Sequence, residues 1–193
     1  MFNIRPTVRE LAFTAVSASL WISAQIALGP SIGRFSFGPV SMHGAVNHVV
    51  GWFLMVVTAA LLRKFGMVSI MASVAAVSTR MIRVSALEGM LAGLGYICAG
   101  VFFDILFFSL KLDNLRGFRL RGLTIFIAAS SGVSSLIPYL FFRLYVAGPA
   151  VFTTLVPLYI LSIIKNIFFS SAGAYLALLA LPRLTSLYMQ QAK

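Results

Sequence analysis

Six apolar runs, most of them about the length of a bilayer-spanning helix, follow one another along the chain, separated by short clusters of Gly, Pro, Lys and Arg. The first follows Arg5 and Arg9 and reads ELAFTAVSASLWISAQIAL over 10–28. A run of this kind crosses a bilayer as a helix, because lipid leaves every backbone N–H and C=O to be paired within the segment itself. The others fall at about 44–62, 66–82, 86–110, 123–146 and 150–181, and the pattern predicts a single six-helix domain over 1–193. Arg63 and Lys64 stop the second helix, KLDNLRGFRLRG over 111–122 makes the clearest polar break, and Gly148-Pro149 turns the fifth helix into the sixth. Pro138 and Pro157 are expected to kink those last two helices. Between the first two runs, residues 29–42 carry Gly-Pro pairs around the alternating Arg34-Phe35-Ser36-Phe37. That stretch reads either as a short extended arm folded over the bundle or as a plain surface loop.

Composition turns this pattern into a class. With 60% hydrophobic and 10% charged residues and a mean hydropathy of +0.99, the chain lies outside the range of soluble globular proteins. The expected fold is an all-α integral membrane protein, multi-pass in the cell membrane. A net charge of +11 would suit nucleic acid, but basic residues confined to short loops between apolar spans are the signature of membrane topology, so no nucleic-acid partner is expected. Six spans put both termini on one side. If that side is the cytoplasm, Arg5, Arg9, Arg63, Lys64, Lys111, Arg116, Arg119, Arg121, Arg183 and Lys193 are inside; Arg34, Arg80, Arg83 and Arg143 are outside. Ten basic residues against four place both termini in the cytoplasm. The first run is longer than the apolar core of a signal peptide, about 7–15 residues, and reads as a retained helix. Cys98 is the one cysteine, which rules out an internal disulfide or a thiolate metal cluster.

The candidate chemistry starts from the acidic residues, of which there are four. Glu88 and Asp104 both lie in the fourth run, and charge inside hydrocarbon is costly enough to mark a site, a path or a pair. Gly89, Gly93, Gly95, Ala99 and Gly100 on the same run let a neighbouring helix come close. The topology gathers His43, Asn47, His48, Arg80, Arg83, Glu88 and Arg143 toward the outer face, with Trp52 near the mouth and Tyr96, Tyr139 and Tyr159 deeper. Concave aromatic sites with a few convergent polar groups are typical small-molecule pockets. The candidate substrate-binding set is therefore Arg34, His43, Asn47, His48, Trp52, Arg83, Glu88, Tyr96, Tyr139, Arg143, Tyr159 and Lys165. The competing reading is an interfacial belt of Trp and Tyr with arginines anchoring helix ends, and Glu88 serving only as a structural partner of Arg80 or Arg83. Lys165 in mid-membrane needs a partner or a neutral state. At about 1.5 Å per residue, Asp104 lies ~27 Å and Lys165 ~22 Å from the starts of their helices, so an ion pair between them is one expectation. Lys165 facing solute or water is the other.

An enzyme is not expected. The chain has no His-Glu-x-x-His, paired Cys-x-x-Cys, Gly-x-Ser-x-Gly or Walker-type Gly-Lys loop, so zinc, serine and nucleotide hydrolysis each lack their parts. His43 and His48, five apart, do not share one helical face for a metal. Two other classes stay open: a small intramembrane enzyme acting on a lipid or isoprenoid through Glu88, His43 and His48, and a ligand-free assembly protein.

Taken together, a chain of this length with six spans, a small-residue stripe on its first helix, a Gly/Pro-rich arm after it and Leu87-Glu88-Gly89 opening the fourth resembles the substrate-binding S component of energy-coupling factor (ECF) vitamin transporters. The Leu-Glu-Gly stretch is most similar to the thiamine and hydroxymethylpyrimidine branch. The resemblance implies a subunit that captures a vitamin-like solute outside and topples within a complex of a transmembrane coupling subunit and two ATPases, needing no cofactor of its own. It also implies small residues that dock the coupling subunit. The family's Ala-x-x-x-Ala appears here as Ala15 to Ser19, with Ala12 beside it, and in strict form at Ala72 and Ala76.

Overall fold

Thr7 and Glu10 begin the first helix by capping each other. The Glu10 N–H donates to Thr7 Oγ1 at 3.3 Å and the Thr7 N–H donates to Glu10 Oε2 at 2.6 Å, a reciprocal pairing that satisfies two of the free donors at a helix start. The computed structural model describes residues 6–32, 35–37, 40–42, 44–82, 87–112 and 118–190. Among them run seven helices: α1 (Val8–Ile32), α2 (Ala45–Leu62), α3 (Met67–Ile82), α4 (Leu87–Ser109), α5 (Phe118–Ser134), α6 (Ile137–Thr154) and α7 (Val156–Gln190). Between α1 and α2, β1 (Ser36–Phe37) pairs antiparallel with β2 (Val40–Ser41), Ser36 facing Ser41 and Phe37 facing Val40. Of the stretch 29–42, the extended reading applies to this strand pair, whereas α1 continues through Gly29-Pro30 to Ile32.

Among the described residues, five stretches are long and apolar enough to cross a membrane: Val8–Gly29, Ala45–Leu62, Gly89–Ser109, Arg119–Val146 and Val156–Ser186. Large apolar side chains face outward along them, Leu20, Phe126, Phe141 and Phe168 among others, as lipid-facing helices require. The chain is a helical, multi-pass type of membrane protein. Two expectations are corrected at the C-terminal end. The run expected as one kinked helix over 123–146 divides into α5 and α6 at a turn through Ser135 and Leu136. Pro138 and Pro157 do not kink helices; they sit in the first turns of α6 and α7, where a missing N–H costs no hydrogen bond. The break at Gly148 is present, with φ 78° and ψ 164° inside α6, a backbone conformation open mainly to glycine.

The bundle is organised on α2, which packs against α7 and α1; α3 lies between α1 and α4, α5 between α4 and α7, and α6 rests on α4 at the edge. Trp21, Trp52, Met55, Met71, Phe103 and Phe107 fill the core and are fully buried. Glycines set the closest approaches. A Cβ on Gly173 would overlap the Val49 carbonyl of α2, one on Gly95 the Ser135 carbonyl, and one on Gly100 would sit 2.6 Å from the Ala72 Cβ. Ala72 and Ala76 are buried on α3, Ala72 against α4. This corrects their assignment to a docking face: the strict Ala-x-x-x-Ala closes the interior of the chain, whereas Ala12, Ala15 and Ser19 lie exposed on α1.

The expected ion pair is also corrected. Asp104 is fully buried, and its Oδ2 accepts from the Ser69 N–H at 2.8 Å and the Ser69 hydroxyl at 2.6 Å. Ser69 is the third residue of α3, so the carboxylate caps that helix from α4, where free N–H groups and the helix dipole both favour an anion. Lys165 lies instead on α7, which α2 and α5 separate from α4. The depth arithmetic placed the two charges at similar levels and carried no information on which helices are neighbours. At the same end of the bundle Lys64 donates to Glu10 Oε2 at 2.8 Å, tying the α2–α3 turn to the start of α1.

Candidate functional site

The first turns of α2 carry the densest group of aromatic and polar side chains. Gly44, with φ 87°, precedes the helix, and its carbonyl accepts from His48 Nδ1 at 3.0 Å. A carbonyl only accepts, so the proton of a neutral His48 sits on Nδ1 and Nε2 is an acceptor. The His48 ring stacks on Trp52, centroids 4.6 Å apart and planes 7° apart. Helical spacing of four puts those two residues on one face. Tyr96 of α4 meets His48 edge-on at 5.8 Å, Trp52 at 6.3 Å and Trp21 of α1 at 5.5 Å. Trp21 reaches in because residue 51 is glycine: a Cβ there would overlap the indole. Three helices thus contribute one aromatic cluster.

A polar seam from α5 and α7 backs it. Trp52 Nε1 donates to the Ser131 hydroxyl at 2.6 Å. Asn166 Nδ2 donates to the Gly132 carbonyl at 3.3 Å and to Ser135 Oγ at 3.2 Å. Ser135 Oγ lies 3.4 Å from His48 Nε2, but its one proton goes to the Gly132 carbonyl at 2.6 Å. Ser135 Oγ is thus the neighbour of His48 Nε2. Trp21 Nε1 and Asn47 Oδ1 are buried without a hydrogen-bond partner among the described residues, and the Asn47 side chain lies beside the Tyr96 hydroxyl. Buried polar atoms are nearly always paired in native proteins. A buried donor at Trp21 and a buried acceptor at Asn47 thus stand beside a cluster of closely packed rings.

Of the residues expected at the site, the structure brings together Asn47, His48, Trp52 and Tyr96; Lys165 is partly exposed on α7, one residue before the buried Asn166. Tyr139 and Arg143 form their own pair on α6: Arg143 Nε donates to the Tyr139 hydroxyl at 3.0 Å and the guanidinium sits 5.1 Å from the ring centroid. Tyr159 packs on Phe152 at 5.0 Å, its hydroxyl buried without a partner among the described residues. Arg34, His43 and Arg83 lie outside the described residues, as does the side chain of Glu88 in the first turn of α4. Trp21, Ser131, Ser135 and Asn166 were not expected. The signal for them was present in the Ser-rich AASSGVSS over 128–135 and in Asn166 next to Lys165, unusual polarity for apolar spans.

Fold and site together define a helical multi-pass membrane protein with a buried aromatic and polar cluster on one half of its length. Comparison with known proteins finds no family model, no curated protein and no solved structure that matches the chain.

Proposed function

We propose that the protein is the substrate-binding subunit of an ATP-driven ECF-type importer in the cell membrane. It captures a small vitamin or vitamin precursor, thiamine- or pyrimidine-like, from outside. In this reading six spans leave both termini in the cytoplasm, α3 being the sixth, and the cluster around His48 lies in the outer half. The observation that carries the reading is the pair of buried polar atoms without a hydrogen-bond partner among the described residues, Trp21 Nε1 and Asn47 Oδ1, beside flat rings at the meeting of α1, α2 and α4. Aromatic surfaces with a donor and an acceptor beside them match a planar heterocycle better than an acyl chain. The exposed Ala12, Ala15 and Ser19 of α1 support docking of a coupling subunit, which supplies the ATPases.

The test is mass spectrometry of small molecules released from the purified, detergent-solubilised protein, comparing wild type with Asn47→Ala and Trp21→Phe. A stoichiometric heterocycle present in wild type and reduced in both variants is the expected result. A folded wild-type protein that releases no compound, and whose melting temperature no vitamin raises, would sink the reading.

A further inference from the structure

A second site lies on the outside of the bundle and does not depend on the proposed transport role. At the end opposite the Glu10–Lys64 pair, α3 and α4 leave between them an open groove of about 600 Å³. Its walls are two apolar ridges along the antiparallel helices, Val77 and Met81 on α3, Met90 and Leu94 on α4. All four are half or more exposed, so the groove opens sideways onto the lipid. Among the described residues that line it, Arg80 is the charged one. Its stem lies across Gly93, where an added Cβ would stand 3.3 Å from the Arg80 Cγ. Arg80 is two residues from the end of α3, the level at which cationic heads reach the membrane interface while their stems stay in hydrocarbon.

We propose that this groove is a binding slot for an anionic phospholipid, one acyl chain lying between the two ridges and its phosphate on Arg80. The slot runs along the helix axes, the direction of an acyl chain in a bilayer, and Arg80 lines it two residues from the end of α3. A guanidinium carries five donors in a planar fork suited to phosphate, so it serves a headgroup alongside its other contacts. Methionines at Met81 and Met90 give walls that adapt to a flexible chain.

Native mass spectrometry of the detergent-purified chain, titrated with phosphatidylglycerol or phosphatidylcholine of identical acyl chains, tests the slot. Wild type is expected to retain one phosphatidylglycerol, favoured over phosphatidylcholine by about fivefold, the factor one basic residue near a membrane surface supplies. Arg80→Gln should bring that preference to about unity while keeping the chain, since the ridges remain. Leu94→Trp, a change at an exposed wall position that leaves the interior untouched, should lose both lipids. Equal retention of the two lipids by wild type, an undiminished preference in Arg80→Gln, or unchanged binding in Leu94→Trp would each overturn the proposal and leave the groove to a partner helix.

Discussion

At the scale of single residues, the interior polar groups divide into those that hold the fold and those with capacity to spare. The Trp52–Ser131 hydrogen bond belongs to the first kind: both residues are fully buried and the contact is 2.6 Å. Ser131→Ala leaves the indole N–H buried without its acceptor and is expected to lower stability by about 1–3 kcal/mol. In a Trp52→Phe background the same change should cost less, because the orphaned donor is gone; thermal unfolding in detergent measures the coupling. Asp104 also holds the fold. Replacing it with alanine exposes the α3 start and should cost about 1 kcal/mol or more, as lost helix caps do. Because Asp104 binds Ser69 and not Lys165, the Asp104→Ala and Lys165→Ala effects should add within about 0.5 kcal/mol. A larger coupling between them would restore the ion pair.

Among whole elements, glycines decide how near two helices come, and they do so unequally. Gly173 of α7 faces the α2 backbone at Val49 and Phe53 with no room for a methyl group, whereas nothing lies within 4 Å of a Cβ placed on Gly122 of α5. Gly173→Ala must push α7 from α2, the broadest helix contact in the bundle, and should lower the melting temperature markedly. Gly122→Ala should be neutral or raise stability by up to about 1 kcal/mol, the helix-propensity difference alone. The same contrast explains what could be read ahead of the structure. Apolar runs and their Lys/Arg breaks marked most helices within a few residues, because hydropathy is a local property. The turn at Ser135-Leu136 carries no charge or glycine, so hydropathy runs straight through it. At the site, His48 and Trp52 were visible as polar or aromatic residues four apart. Trp21 and Asn166 required knowing which helices are neighbours, and the Asp104 pairing failed for that same reason.

For the molecule as a whole, the open geometric question is whether α3 crosses the membrane. Its 16 residues span ~24 Å at 1.5 Å per residue, short of a ~30 Å hydrocarbon core. Yet α3 accompanies α4 in the opposite sense along much of its length: its start meets Asp104, its end meets Gly93. In the proposed importer this return beside a spanning neighbour counts as a crossing, the sixth. Counted this way, residues 6–7 and the end of α7 lie on one side and the β1–β2 arm on the other. In a Cys98→Ser background, single cysteines replacing Thr7, Phe35 and Ser186 report on this through a membrane-impermeant maleimide applied to intact cells. Phe35→Cys should label at once, and Thr7→Cys and Ser186→Cys only after permeabilisation. If Thr7→Cys and Ser186→Cys fall on opposite sides, α3 does not cross, the number of spans is odd, and the importer topology is lost together with the outer placement of the His48 cluster.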